Sequence, residues 1–221
     1  MEQAVEVGGR SFLLSESLSS AELAPIFADA WTASKVWAAS RFLGAHLVSV
    51  AQEPRQARHF QPVIDDTPAT VVELGSGCGL VGLVAASLGA NVLLTDQHEA
   101  VELLERNVRA NAKDEDELAR LRVSEFVWGT SPRLPHATFD YVLVSDCINP
   151  IYGRESWRNL ARSIVELSHR ETVTWLAHES RGDDAALDDF LQFCEPSLEV
   201  ELVKTEGKMK LFCLRCRTAT T

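Results

Sequence analysis

Five short runs rich in β-branched residues, Thr70–Leu74, Asn91–Asp96, Leu121–Val127, Asp140–Asp146 and Thr172–His178, punctuate the middle of this chain, and helical patterns stand between most of them. The segments 80–89, 98–111 and 155–168 carry apolar residues at helical spacing. Such alternation predicts parallel strands joined by helices that cover both faces of one sheet. The last third departs from it. Residues 183–194 read as a helix, and 198–204 and 209–217 as two strands around Thr205–Lys208, close enough to pair as an antiparallel hairpin at the sheet edge. The expected fold is α/β: a doubly wound, mostly parallel seven-stranded sheet with a C-terminal antiparallel hairpin and an N-terminal extension. Residues 70–221 would form that core. Residues 1–69 would pack on it as one domain, with an extended or hairpin start, the apolar helical run Val36–Val50, and a charged loop at 51–69 that holds three prolines.

The 221 residues suit a single domain. The 21 Lys+Arg against 32 Asp+Glu leave a net charge of −11, which repels nucleic acid and anionic lipid and favours a basic or neutral partner. No run approaches the ~18 apolar residues of a membrane span, and the opening MEQAVEVGGR has neither the basic nor the apolar region of a secretory signal. The expected setting is the cytoplasm or the nucleus, and the expected state a monomer without nucleic-acid or membrane partners. Five scattered cysteines form no disulfide framework and agree with a reducing compartment. Cys213 and Cys216 form the lone CxxC, in a strand-like run where an odd separation sends the two thiols to opposite faces. No metal is expected there, because no second pair accompanies it. His98, His136 and His169 have no pairing that suggests a metal or a triad, and hydrolase chemistry lacks its nucleophile elbow. The acidic run Lys113–Glu117 reads as a solvated loop.

Chemistry concentrates at Glu73-Leu74-Gly75-Ser76-Gly77-Cys78-Gly79-Leu80-Val81-Gly82, where an apolar strand passes into a helix through closely spaced glycines. A sharp turn needs them, and so does a ligand that approaches backbone without a Cβ in the way. Read literally, Gly77-x-Gly79-x-x-Gly82 satisfies a nicotinamide-dinucleotide pattern, with Asp96 as the ribose partner. Glu73 before the first glycine, and about 70 residues ahead of the turn, favour another reading.

The stretch ELGSGCGLVGLVAASLGANVLLTD resembles the first two motifs of the class I S-adenosylmethionine-dependent methyltransferases. The resemblance implies that Glu73 lies near the methionyl amino group, that Gly75, Ser76, Gly77 and Gly79 line the cofactor with their backbone, and that Asp96, with Gln97 beside it, binds the ribose hydroxyls. An acidic concave site suits a sulfonium, whereas a pyrophosphate prefers a bare helix N-terminus. Other segments are similar to one branch, the small family-sixteen enzymes, many of which are protein-lysine methyltransferases. Val36-Trp37-Ala38-Ala39 resembles the upstream segment whose tryptophan closes over the cofactor. Phe126-Val127-Trp128-Gly129 resembles the Leu-Asp-Trp-Gly that borders the adenine, with Val127 in the acidic position, so Trp128 is expected as an apolar or stacking neighbour. By composition alone, either indole would be a core residue.

The fourth strand ends at Ser145-Asp146, where an open α/β sheet places its ligands. Ser145 is expected beside the cofactor. The branch has Asp-x-x-Tyr at this point, and here Asp146-Cys147-Ile148 is followed by Asn149, with Tyr152 three places on. Asn149-Pro150-Ile151-Tyr152 is also similar to the Asn-Pro-Pro-Tyr of amino-group methyltransferases. Asp146, Asn149 and Tyr152 are therefore the expected catalytic set. His178-Glu179-Ser180-Arg181 resembles the branch's polar cluster ending in arginine. Methyl transfer to nitrogen needs a neutral amine held in line, and orientation supplies most of the rate. A lysine, with a reference pKa of ~10.4, must first lose a proton, and the Asp146 carboxylate is expected to hold the ammonium while water takes it. The resemblance implies S-adenosylmethionine as donor and a lysine on an intracellular protein as acceptor. A small molecule or a glutamine remains an alternative acceptor, and a non-catalytic protein that keeps the cofactor fold an alternative of another kind.

Overall fold

The computed structural model describes residues 2–16, 35–53, 60–131 and 134–217. The elements follow as β1 (Glu2–Val7), β2 (Arg10–Ser15), α1 (Ala38–Ala51), β3 (Val63–Ile64), β4 (Thr67–Pro68), β5 (Thr70–Leu74), α2 (Leu80–Ser87), β6 (Asn91–Asp96), α3 (His98–Asn111), α4 (Glu115–Ala119), β7 (Leu121–Glu125), β8 (Phe139–Ser145), a 3₁₀ turn at Pro150–Tyr152, α5 (Arg154–Glu166), β9 (Ser168–Glu179), α6 (Ala185–Cys194), β10 (Leu198–Glu206) and β11 (Met209–Cys216). Seven strands form the main sheet in the order β10-β11-β9-β8-β5-β6-β7. Strands β5 to β9 pair in parallel, and β11 and β10 add the antiparallel edge. The chain leaves β5 toward β6 and β7, then returns to β8 on the other side of β5. That reversal opens a crevice at the carboxyl ends of the strands.

Burial on both faces explains the continuous apolar strands, since helices cover each side of a parallel sheet. Val71, Leu94, Leu143 and Trp175 face one apolar core with α1, α2 and α3, while Val72, Leu74, Val142 and Leu176 face a second with α5 and α6. Residues Leu80 to Ala86 of α2 are all buried, whereas α3 buries one stripe: Ala100, Leu103, Leu104, Asn107, Val108 and Asn111. Cys213 belongs to the first core and Cys216 packs on the second, as an odd separation along a strand requires.

Val5, Val7, Phe12 and Leu14 of the β1–β2 hairpin share the core with α1 to α3. Two asparagines one turn apart on α3 dock it in the manner of a neighbouring strand. Asn111 accepts from Leu13 N–H at 2.7 Å and donates to Leu13 C=O at 2.8 Å, and Asn107 does the same for Ser15 at 2.8 and 3.1 Å.

Several boundaries differ from expectation, four of the strands among them. The third strand ends at Glu125, and the fourth at Ser145, because Asp146 turns into a left-handed φ of 58°. The fifth runs from Ser168 to Glu179, longer than its apolar centre, and the hairpin strand β10 continues to Glu206. The loop at 51–69 contains the small β3–β4 hairpin, whose central Asp65 and Asp66 both take positive φ, 47° and 63°, as a tight hairpin turn demands. Phe60 beneath it is fully buried. Residues 54–59 of that loop lie outside the described residues. The acidic run is not simply solvated. Asp114 caps the short helix α4 by accepting from Glu117 N–H at 2.8 Å, and the buried Glu117 carboxylate meets Arg10 at 2.8 Å.

Candidate active site

At the carboxyl ends of β5, β6 and β8 lies a cleft of ≈ 300 Å³. The turn after β5 contributes Gly75, Ser76, Gly77 and Gly79; the end of β6 contributes Asp96 and Gln97; and Trp128 follows β7. Ser145, Asp146 and Tyr152 come from the end of β8 and the turn beyond it, and Trp37 from the segment leading into α1. Eleven of the thirteen residues singled out in the sequence thus meet on one surface. Glu73 and Asn149 do not line it.

The turn is held by its own chain. Gly75, Gly77 and Gly79 take φ of 67°, 54° and 83°, values that favour glycine. A Cβ on Gly75 would stand 2.7 Å from Cys147 Sγ and 2.9 Å from the Trp128 ring, and one on Gly79 would stand 2.6 Å from Leu104. Close packing of protein on protein therefore requires glycine at these two positions, beyond any ligand's approach. Gly77 N–H donates to Asp96 Oδ2 and Gln97 N–H to Asp96 Oδ1, each at 2.7 Å, so one carboxylate ties the turn to the end of β6. Burial raises the Asp96 pKa against those two donors.

Glu73 sits behind the turn, 1% exposed, and accepts from Gly82 N–H at 3.0 Å with Oε2. Burial pushes its pKa up to about 8. At neutral pH it is mainly a protonated acid that braces the start of α2. Asn149 likewise has a local task, since its side chain accepts from Ile151 N–H at 3.1 Å and caps the 3₁₀ turn. That turn carries Tyr152 into the cleft.

Asp146 differs most from its expected use. Its side chain is 2% exposed and lies against Arg181, whose Nη1 donates to Oδ1 at 3.0 Å and whose Nη2 bonds Oδ2; Glu179 N–H adds a contact to Oδ1 at 3.3 Å. Both carboxylate oxygens are engaged within the protein, whereas the sequence led to the expectation of a carboxylate that holds an ammonium. Arg181 also lies over the Trp37 ring, 5.2 Å from its centroid, and Lys35 Nζ approaches the same ring at 4.9 Å.

The sequence reading missed Lys35, Cys147, Ser156 and Asn159, all of which line the cleft. Ser156 and Asn159 stand three apart at the edge of the buried stripe of α5, Ser156 one turn before the buried Leu160, so helical periodicity alone does not set them apart from residues that pack. Lys35 stands two places before Trp37 in an extended segment, the spacing that brings side chains to one side. Nothing local marks Cys147.

The donor set suits a particular kind of ligand: one with a flat heteroaromatic ring for the indoles and hydroxyls for Asp96. The fold is that of the class I methyltransferases. Over 98% of this chain and 50% of the other it superposes, with a TM-score of 0.64 and 17% identity, on the Thermus thermophilus 16S rRNA N2 G1207 methyltransferase solved with AdoMet and guanosine. The chain belongs to the lysine methyltransferase family, whose model matches residues 28–195. Its relatives include protein N-lysine methyltransferase METTL21A of Xenopus tropicalis, 40% identical over 113 residues, which are 51% of this chain and 50% of that protein. The METTL21A of Mus musculus is 34% identical over 172 residues, 77% of this chain and 71% of the other. The match to the frog protein thus spans about half of that relative's length. Among the described residues no helix is long and apolar enough to cross a membrane, and no group of three or more His, Cys, Asp or Glu could hold a metal.

Proposed function

We propose that this chain transfers a methyl group from S-adenosylmethionine to the side-chain nitrogen of a lysine on an intracellular protein. The observation that carries the reading is the cleft at the strand reversal, where Asp96 is fixed by two backbone N–H groups and which Trp37 and Trp128 also line, in a chain of the lysine methyltransferase family. When bound, the donor supplies an electrophilic methyl group on a positively charged sulfur. Asp96, with Gln97 beside it, accepts hydrogen bonds from the ribose hydroxyls. The backbone of Gly75 to Gly79 and Ser145 form the floor, and Trp128 and Trp37 flank the donor with their rings. Glu73 acts from behind by holding α2 against the turn.

The acceptor nitrogen must arrive neutral and aligned, since its lone pair makes the new bond; its proton leaves to water. We assign that alignment to Tyr152, presented by the turn that Asn149 caps, and to the end of β8 that Asp146 shapes. Asp146 then works through Arg181 rather than on the amine itself. All five cysteines are free thiols, which fits a reducing compartment, and we place the activity in the cytoplasm or nucleus.

Incubation of the chain with a cell lysate and methyl-labelled donor, followed by gel separation and hydrolysis of labelled bands, tests the reading. Label recovered as methyl-lysine supports it. Label in glutamine or in small molecules alone, or donor binding without any transfer, overturns it in favour of another acceptor or a non-catalytic role.

A further inference from the structure

Arg181 lies two residues beyond the end of β9, in a loop far from the glycine turn, yet it touches both sides of the cleft. On one side its guanidinium takes the Asp146 carboxylate with both Nη atoms, the forked geometry in which arginine exceeds lysine. On the other it covers the Trp37 ring, 5.2 Å from the centroid. Nη1 also donates to Glu179 C=O at 3.1 Å, which fixes the fork to the end of its own strand.

Asp146 has a reason to need such a partner. A non-glycine residue at φ 58° is strained and persists only where its surroundings hold it. Here Asp146 N–H extends the sheet to Ala177 C=O at 2.9 Å, and without Arg181 the side chain, 2% exposed, would lose its forked cation and keep Glu179 N–H at 3.3 Å and His178 Nδ1 at 3.9 Å. The left-handed step decides where Ser145, Asp146 and Cys147 meet the cleft. Trp37 reaches the same cleft from the segment that caps α1, and Arg181 and Lys35 both lie over its ring.

We propose that Arg181 is a positioning residue that ties the placement of Trp37 to the conformation of Asp146, so that the tryptophan wall and the end of β8 move as one unit. The purpose assigned to the tie rests on reading the cleft as the methyl-donor site: an indole that settles on the donor also sets the strand end against which the acceptor is aligned. A lysine at 181 would keep the charge for Asp146 but could not both fork and stack. A purely structural ion pair would act on stability alone.

The test has one readout without ligand and one with it. The chain has five tryptophans, so the difference in emission between it and Trp37→Phe isolates Trp37. Acrylamide quenching of that difference signal should rise about twofold in Arg181→Met, and to a similar degree in Asp146→Asn, whose altered group bonds Arg181 rather than the indole. Arg181→Lys, which keeps a cation beside the buried carboxylate, should fold like the parent and fall between. Calorimetric titration with S-adenosylhomocysteine should then show about tenfold weaker binding in Asp146→Asn and in Trp37→Leu, with the double variant little worse than either, and additive losses once Arg181 is Met. Unchanged quenching in Arg181→Lys and Asp146→Asn, or additive losses in the parent background, overturns the tie. A parent chain that shows the quenching changes but takes no S-adenosylhomocysteine overturns the donor reading, and with it the purpose given to Arg181, while the physical link stands.

Discussion

Helix α5 separates two cavities that differ in size and, more tellingly, in how their charges are used. Its inner side, with Ser156 and Asn159, borders the cleft of ≈ 300 Å³; its outer side, with Arg154, Arg158 and Arg162, borders a groove of ≈ 580 Å³ against α6. In the groove the charges answer one another. Arg154 Nε donates to Asp189 at 3.0 and 3.1 Å, Trp157 Nε1 donates to the same carboxylate at 2.9 Å, and Arg158 stands 3.6 Å from it. The hydrogen bond from Arg154 holds the Asp189 pKa well below the usual carboxylate range. Phe193 carries the guanidinium carbons of Arg158 and Arg162 at 5.0 and 5.4 Å. That is how two helices are fastened at a surface. The cleft instead gathers backbone at positive φ, and behind its turn stands the buried Glu73, whose pKa burial pushes up to about 8. Local rules are broken at the smaller cavity, the one we propose receives the donor, and kept at the larger one.

The contrast breaks most easily at Gly75. Gly75→Ala forces a Cβ to within 3 Å of Cys147 and Trp128 on a backbone that disfavours side chains. S-adenosylhomocysteine affinity should fall at least about a hundredfold, or ~2.7 kcal/mol, as read by calorimetry. Retained affinity would mean that the turn does not shape the donor site. Next in size is Asp146→Asn, where single-turnover methylation should slow by about fiftyfold, ~2.3 kcal/mol. Donor affinity should fall less than rate, because the amide keeps the shape and forfeits the arginine fork. Equal losses in both would place Asp146 on the donor alone.

Glu73 gives a pH signature. Its folded pKa of about 8 stands above the ordinary 4.5, so the folded chain holds a proton that the unfolded chain releases between those values. The unfolded state then binds fewer protons, and stability falls as pH rises through that window and levels off above it. Glu73→Gln can still accept from Gly82 and never ionises. Its melting temperature, relative to the parent, should climb from pH 5 to pH 8; parallel profiles would show that Glu73 is ionised in the folded chain. The smallest effect belongs to the groove. Asp189→Asn should lower the melting temperature by a few degrees and leave S-adenosylhomocysteine affinity within about twofold. A larger loss of affinity would erase the distinction between the two cavities.

Features that rest on neighbouring residues are legible in the amino-acid sequence itself. The strands Thr70–Leu74 and Asn91–Asp96 and the helix His98–Asn111 lie at their expected bounds, because burial on two faces or one stripe writes itself into periodicity. The glycine turn is legible too, since positive φ is a local demand. So is the division of Cys213 from Cys216. The uses of isolated polar residues are not. Asp146 is matched by an arginine 35 positions later, Glu117 by an arginine 107 positions earlier, and Asn149 is spent on a cap that brings Tyr152 forward. A carboxylate reads the same in sequence whether it will face solvent, a ligand or a guanidinium. Only the packed chain decides which, because the partner comes from another element and the cost of burying the charge is met or left unmet there.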